Sequence, residues 1–263
     1  MIQRRVFLAA TALPTLAWAQ AKPEDDPARS EPWLKVRAAL FGSRPITHVD
    51  DGRVTLQAPA RAEDAAVVPI ALSAAMPVKR MWLVTDHNPS PLSATFVFGP
   101  ATGPAQIETR VRVDSYTVMR AIAETETGEL LMTTRFVKAS GGCSAPPGKD
   151  PAAALATLGR MRLRVEGTPR AGQPLQAQLM ISHPNHSGLA MDQLTRQFTP
   201  AHFVRDIVIR YGNQDVLTAD VDFSISENPN LRFWFTPREP GALAVHIEDN
   251  QGLAFNATQA VTF

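Results

Sequence analysis

The feature that most constrains this chain is a two-residue period. Across Gln106–Asp114, Ile107, Thr109, Val111 and Val113 alternate with Glu108, Arg110, Arg112 and Asp114. Successive side chains leave a strand on opposite faces, so such a run fits a strand with one face on a core and one in water. Arg160–Glu166 and Gly241–Glu248 alternate in the same way, the latter with Leu243, Val245 and Ile247 inward. Val67–Leu72, Arg80–Thr85, Ala94–Phe98, Thr117–Ala123 and Glu129–Val137 are further short runs before residue 140, with glycine at position 128 turning the last pair. After residue 158 come Pro174–Ser182, Phe203–Tyr211, Val216–Val221, Leu231–Thr236 and a strand ending at Phe263. Many short strands, frequent turns and 22 prolines predict an all-β chain.

One helix breaks the pattern. Ser30 stands where an N-cap belongs, Pro32 suits the first turn, Trp33, Val36 and Leu40 share a face, and Gly42 ends it. Between the two blocks of strands lies Lys138-Ala-Ser-Gly-Gly-Cys-Ser-Ala-Pro-Pro-Gly-Lys-Asp-Pro151, without apolar periodicity. Its glycine half predicts flexibility and its proline half stiffness. The expected organisation is therefore two immunoglobulin-like β-sandwiches, residues 30–139 and 159–263, joined by a linker over 140–158.

Residues 1–19 read as an export signal. Arg4 and Arg5 precede an apolar run, and Ala17 and Ala19 form a cleavage site before Gln20. Arg4-Arg5-Val6-Phe7-Leu8 fits the core of a twin-arginine signal, without the usual following lysine. The run is too short to span a bilayer. A periplasmic, soluble mature protein is the expectation. The net charge of +1 argues against a nucleic-acid partner.

The chain has one cysteine, Cys143. In an oxidising compartment it cannot close a disulfide within the chain, which leaves a reactive thiol, an intermolecular partner or an inert buried residue. Gly141 and Gly142 precede it in the linker, where they predict an exposed thiol on a flexible arm. Nucleophilic catalysis needs a base and an oxyanion site on rigid elements, so this placement favours a carrier over an enzyme. Met180, His183, His186 and Met191 offer soft and imidazole groups to copper, but a Pro/Asn/Gly loop explains them as a turn, and no metal site is assigned. No H-E-x-x-H, G-x-S-x-G, P-loop or dinucleotide fingerprint occurs, and no cofactor is expected.

Several segments resemble a known family. Trp33–Phe41, Gly42-Ser-Arg-Pro-Ile46, Ala62-Glu-Asp-Ala-Ala-Val-Val-Pro-Ile70, Asn88-Pro89-Ser-Pro91, Thr109-Arg-Val-Arg112 and Gly141-Gly142-Cys143 are similar, in order, to SoxY, the thiol-bearing carrier of sulfur-oxidising bacteria. Ile181-Ser-His-Pro184, Asn228-Pro229 and Ile247-Glu-Asp-Asn-Gln-Gly252 resemble its partner SoxZ. The whole is similar to quinoprotein dehydrogenase-associated SoxYZ-like carrier proteins. That resemblance implies a non-catalytic carrier with Cys143 as attachment point, a SoxY-like half paired with a SoxZ-like half, and a periplasmic redox partner such as a quinoprotein dehydrogenase or c-type cytochrome. In the family's carrier the glycine-rich cysteine arm is a free C-terminal tail. Here Ser144-Ala145-Pro146 follows the cysteine and the arm is tied at both ends. A structural or maturation partner without thiol chemistry, and a copper-handling protein, are the alternatives.

Overall fold

The computed structural model describes residues 30–146, 151–191 and 196–263, and the expected export signal lies outside them. The helix forms as α1, Glu31–Phe41. Ser30 occupies the N-cap position but its side chain does not cap; it donates to Asp86 Oδ2 at 2.7 Å instead. Gly42 ends the helix at φ 57°, its N–H reaching the Ala38 carbonyl. Of the expected face, Trp33 is buried and Leu40 is not, because Phe41 takes its place against the sheet.

The first half contributes β1 (Ile46–His48), β2 (Val54–Gln57), β3 (Val68–Ala74), β4 (Val78–Thr85), β5 (Leu92–Phe98), β6 (Gln106–Val111), β7 (Thr117–Thr125) and β8 (Leu130–Val137). After a short α2 (Pro151–Ala156) come β9 (Met161–Glu166), β10 (Leu175–Ile181), β11 (Val204–Tyr211), β12 (Gln214–Val221), β13 (Asn230–Phe235), β14 (Gly241–Asp249) and β15 (Ala254–Val261). The all-β expectation holds, and β1 and β2 are strands that the alternation did not reveal.

The two halves do more than hang from one linker. Their strands merge into two continuous sheets, ordered β1-β8-β7-β4-β5-β12-β11-β14-β15 and β2-β3-β6-β13-β10-β9. The seam in the larger sheet is an antiparallel β5–β12 pair running from Ala94↔Val221 to Phe98↔Leu217. In the smaller sheet β6 meets β13 through Glu108↔Arg232. Each half would otherwise expose a strand edge able to pair with other chains; here each covers the other's edge. The inward faces share one core, from Val54, Ile107 and Phe96 to Phe233, Val245 and Val261.

A second, smaller cluster lies outside the larger sheet, where α1 covers Trp82, Ile122 and Met132. Phe41 meets Trp82 edge-on, with ring centroids 4.9 Å apart. Beneath the helix the buried Arg120 guanidinium binds Asp86 through two hydrogen bonds of 2.8 and 2.6 Å and lies 4.4 Å from the Trp33 ring centroid. A paired, stacked arginine is one of the few ways a charge can be buried at tolerable cost.

Candidate functional site

The segment after β8 is a strap laid across the seam. The Lys138 N–H binds the Ala60 carbonyl, and the Ala62 N–H returns to Lys138. Further on, Gly141 donates to the Asp114 carbonyl at 2.8 Å and Gly142 to the Val113 carbonyl at 3.0 Å. From the other half, the Ser187 hydroxyl donates to the Cys143 carbonyl at 2.5 Å. Glycine is required here for two reasons. Gly141 sits at φ 81°, and a Cβ at Gly142 would overlap the Ala65 carbonyl oxygen.

These contacts correct the expected exposed thiol on a mobile arm. Cys143 is 1 % exposed, and Gly141 and Gly142 are bonded through their amides to the chain beyond β6. Local sequence could not show this, since the cover comes from residues distant in the chain.

The electrostatic setting follows from what surrounds the sulfur. Burial, then the Asp114 carboxylate, push the thiol from its ordinary 9.0 up to about 12; Arg112 opposes the shift and Asp222 adds to it. Asp222 lies just past β12. Its Oδ1 accepts the Ser224 N–H at 2.7 Å, whereas its buried Oδ2 has no hydrogen-bond partner. Burial raises that carboxyl to about 6. Arg112 is the residue that alternation placed in solvent, yet it is buried: Nη1 donates to the carbonyls of Phe223 and Ile225, each at 2.8 Å. The second half folds over the polar face of the strand's continuation and turns an outward residue inward. Arg112, Asp114, Asp222 and Ser187 are therefore site residues that the sequence alone did not single out. Such a thiol is protected and not activated, because every effect but that of Arg112 holds it protonated.

A cleft of about 420 Å³ opens beside the strap, lined by Ala145 and Pro146 and by Arg110, Arg112, His186 and Glu227.

Residues 37–143 match the family described as sulfur oxidation protein SoxY, and residues 162–260 that described as sulphur oxidation protein SoxZ. The chain belongs to the SoxYZ-like fusions. The SoxY match ends on Cys143 itself. Among solved structures, the sulfur carrier protein SoxY from Chlorobium limicola f thiosulfatophilum is 28 % identical, covering 40 % of this chain and 89 % of that one, with a TM-score of 0.36. A superoxide reductase (neelaredoxin) variant from Ignicoccus hospitalis is similar at 15 % identity over 43 % of this chain and 87 % of that one, TM-score 0.30. No curated protein matches.

Among the described residues, the three-residue group that could ligate a metal includes His183 but not His186, the other histidine of the copper reading. His186 lines the cleft, whereas His183 joins His202 and Asp249, a group whose ligand atoms lie within 4.8 Å of one another. The hydrogen bonding explains that group without an ion. His183 Nδ1 accepts the Asn185 N–H at 3.1 Å, so its proton sits on Nε2, which faces Asp249 Oδ2 at 3.5 Å and has no lone pair free for a cation. His202 Nε2 reaches the same oxygen at 2.7 Å. Burial, and then the neighbouring His202, lower His183 to about 4, which keeps it neutral. The Asn185 N–H ties the cluster to the loop that carries Ser187, the residue bonded to the strap. Met180 and Met191, the remaining residues of the copper reading, lie on β10 and on an exposed loop.

Proposed function

We propose that this SoxYZ-like protein is a periplasmic, non-catalytic carrier, exported by the twin-arginine route, that presents Cys143 for covalent attachment of a sulfur intermediate. Its partner on this reading is a redox enzyme, a quinoprotein dehydrogenase or c-type cytochrome. The observation that carries the proposal is the place of the sole cysteine: at the seam of the SoxY and SoxZ halves, on a strap held by a few hydrogen bonds and outside every strand. Such bonds contribute about 1 kcal/mol each, so the strap can leave and return while both sheets stay intact. Freed beyond Lys138, the residues as far as Cys143 reach about 17 Å when extended. Catalysis by the thiol itself is disfavoured, since its surroundings hold the proton on sulfur.

The test is intact-mass measurement of protein purified from the native periplasm, with and without reductant, beside a Cys143→Ser strain. An added mass on Cys143, and loss of the associated oxidation in the Ser strain, are expected. An unmodified cysteine together with full activity of Cys143→Ser would overturn the carrier reading. The buried, unactivated thiol favours one alternative, a structural or maturation partner that docks through a sandwich face. That reading expects Cys143→Ser to bind the dehydrogenase with unchanged affinity.

A further inference from the structure

Arg110 and Arg112 stand two residues apart on β6 and its continuation, so their side chains leave on one face, and both line the cleft of about 420 Å³ beside the strap. Arg112 is only 8 % exposed. Its Nη1 gives both hydrogens to the Phe223 and Ile225 carbonyls, which fixes the plane of the guanidinium. The Nε–Nη2 edge is left over. Among the described residues that edge has no hydrogen-bond partner, and it is not sealed in: the fully buried side-chain nitrogens and oxygens without a partner are Asp222 Oδ2 and Trp234 Nε1. The space it opens onto is the cleft that Arg112 lines. The same edge is already in use elsewhere in the chain, where Arg120 Nε and Nη2 hold the two oxygens of Asp86 at 2.8 and 2.6 Å. Two parallel N–H groups match a carboxylate in this way, and Arg112 presents the fork without the carboxylate. The acids of the cleft do not take that place. Asp64 Oδ1 accepts the Ala66 N–H at 2.8 Å and Glu227 Oε1 the Asn228 amide at 3.1 Å, and neither forms an ion pair with Arg110 or Arg112. Burial accordingly lowers the Arg112 pKa, an effect that Cys143, Glu227 and Asp222 oppose without cancelling.

We propose that the cleft is a binding site for a small organic acid, whose carboxylate sits on the Nε–Nη2 edge of Arg112, flanked by Arg110, and whose apolar body lies against Pro146, Pro184 and Ala190. The cleft has the volume and the make-up of a small-molecule site, apolar walls with a few fixed polar groups that set the orientation. The first half supplies the arginines, the loop after β10 supplies Pro184 and Ala190, and the strap supplies Pro146. Because two backbone carbonyls already hold the guanidinium, the carboxylate meets donors that need no rearrangement. The site makes no use of the Cys143 sulfur and stands apart from the carrier reading.

Hexanoate, hexan-1-ol and hexylamine share a body and differ in the head group. Calorimetric titration of the protein at low salt and about pH 7.5 should give hexanoate a Kd of about 1 mM or below, with the alcohol and the amine at least about tenfold weaker. Hexanoate should also move the Arg112 Nε–H signal downfield in proton–nitrogen spectra. Arg112→Lys keeps the charge and loses the fork, so it should weaken hexanoate at least about tenfold, whereas Arg110→Gln, on the exposed side, should weaken it about threefold. No binding of hexanoate by the unsubstituted protein would overturn the proposal. So would an alcohol or amine that binds as tightly as the acid, or unchanged affinity in Arg112→Lys. Where Arg112→Lys does not fold, an Arg112 Nε–H signal that stays in place at saturating hexanoate overturns it in the unsubstituted protein.

Discussion

Gly142→Ala is the substitution that most directly tests whether the strap is docked as described. An alanine Cβ would overlap the Ala65 carbonyl oxygen and stand 2.8 Å from that of Val113. Both neighbours are backbone, and the Val113 N–H is itself bonded to the Ala65 carbonyl at 2.8 Å, so neither can give way without loosening the chain beyond β6. Release of the strap beyond Lys138 removes three hydrogen bonds: Gly141 to Asp114, Gly142 to Val113, and Ser187 to Cys143. At about 1 kcal/mol each they hold the docked state by about 3 kcal/mol, which is an open population on the order of one in a hundred. The assay is the rate of iodoacetamide labelling of Cys143 at pH 8, referred to the urea-unfolded chain. Docked thiol contributes almost nothing: with its pKa raised from 9.0 to about 12, its thiolate fraction falls by about a thousandfold. Labelling therefore proceeds through the open strap, about a hundredfold slower than in the unfolded chain, and Gly142→Ala should recover most of that factor. The sign of the pH effect follows. Docking favours the protonated thiol, so its stability is fully present below pH 9 and is lost as pH rises from 9 toward 12. Thermal stability should fall by no more than that docking free energy, about 3 kcal/mol, since the strands are untouched. Labelling of Gly142→Ala within threefold of the unsubstituted protein would refute the docked geometry.

Two further substitutions probe the frame around the site. Asp86→Ala leaves the buried Arg120 guanidinium without its carboxylate beneath α1 and should cost about 3–5 kcal/mol in urea denaturation, whereas Asp86→Ala with Arg120→Met should recover a large part of that loss; equal losses for the two would contradict the pairing. Asp249→Ala removes the acceptor of two backbone amides, Gln251 and Leu253, and of two imidazoles, and should cost about 2–4 kcal/mol. It should also raise the Cys143 labelling rate, because the loop bearing Ser187 loses its clamp; unchanged labelling would separate the clamp from the strap.

Strands were legible wherever one face meets the core and the other meets water. Ile107, Thr109, Val111 and Val113 are buried as their alternation requires. β1 is a three-residue strand with burial running from intermediate to exposed, and β2 has only four residues, so neither carries enough period to be read. The joined sheets were hidden for a different reason. Strands β5 and β12 are separated by more than one hundred residues, and nothing local to either states which edge it will cover. The cysteine was legible as the centre of interest, but not its burial, because Gly-Gly-Cys has the same composition whether it waves in water or threads between carbonyls.

Arg112 shows why the two failures share one cause. A two-residue period predicts its side chain outward, on the face that the joined chain covers. In the joined chain it is buried, and residues 223 and 225 of the SoxZ half supply the carbonyls that hold it. The same half brings Asp222 toward the thiol and Ser187 onto the Cys143 carbonyl. Both halves therefore hold the segment that carries the thiol. Joining them in one chain keeps the second half always at hand, so docking competes with release inside a single molecule at a fixed effective concentration. A strap tied at both ends can then be hidden or shown by small free energies, of the size of a few hydrogen bonds.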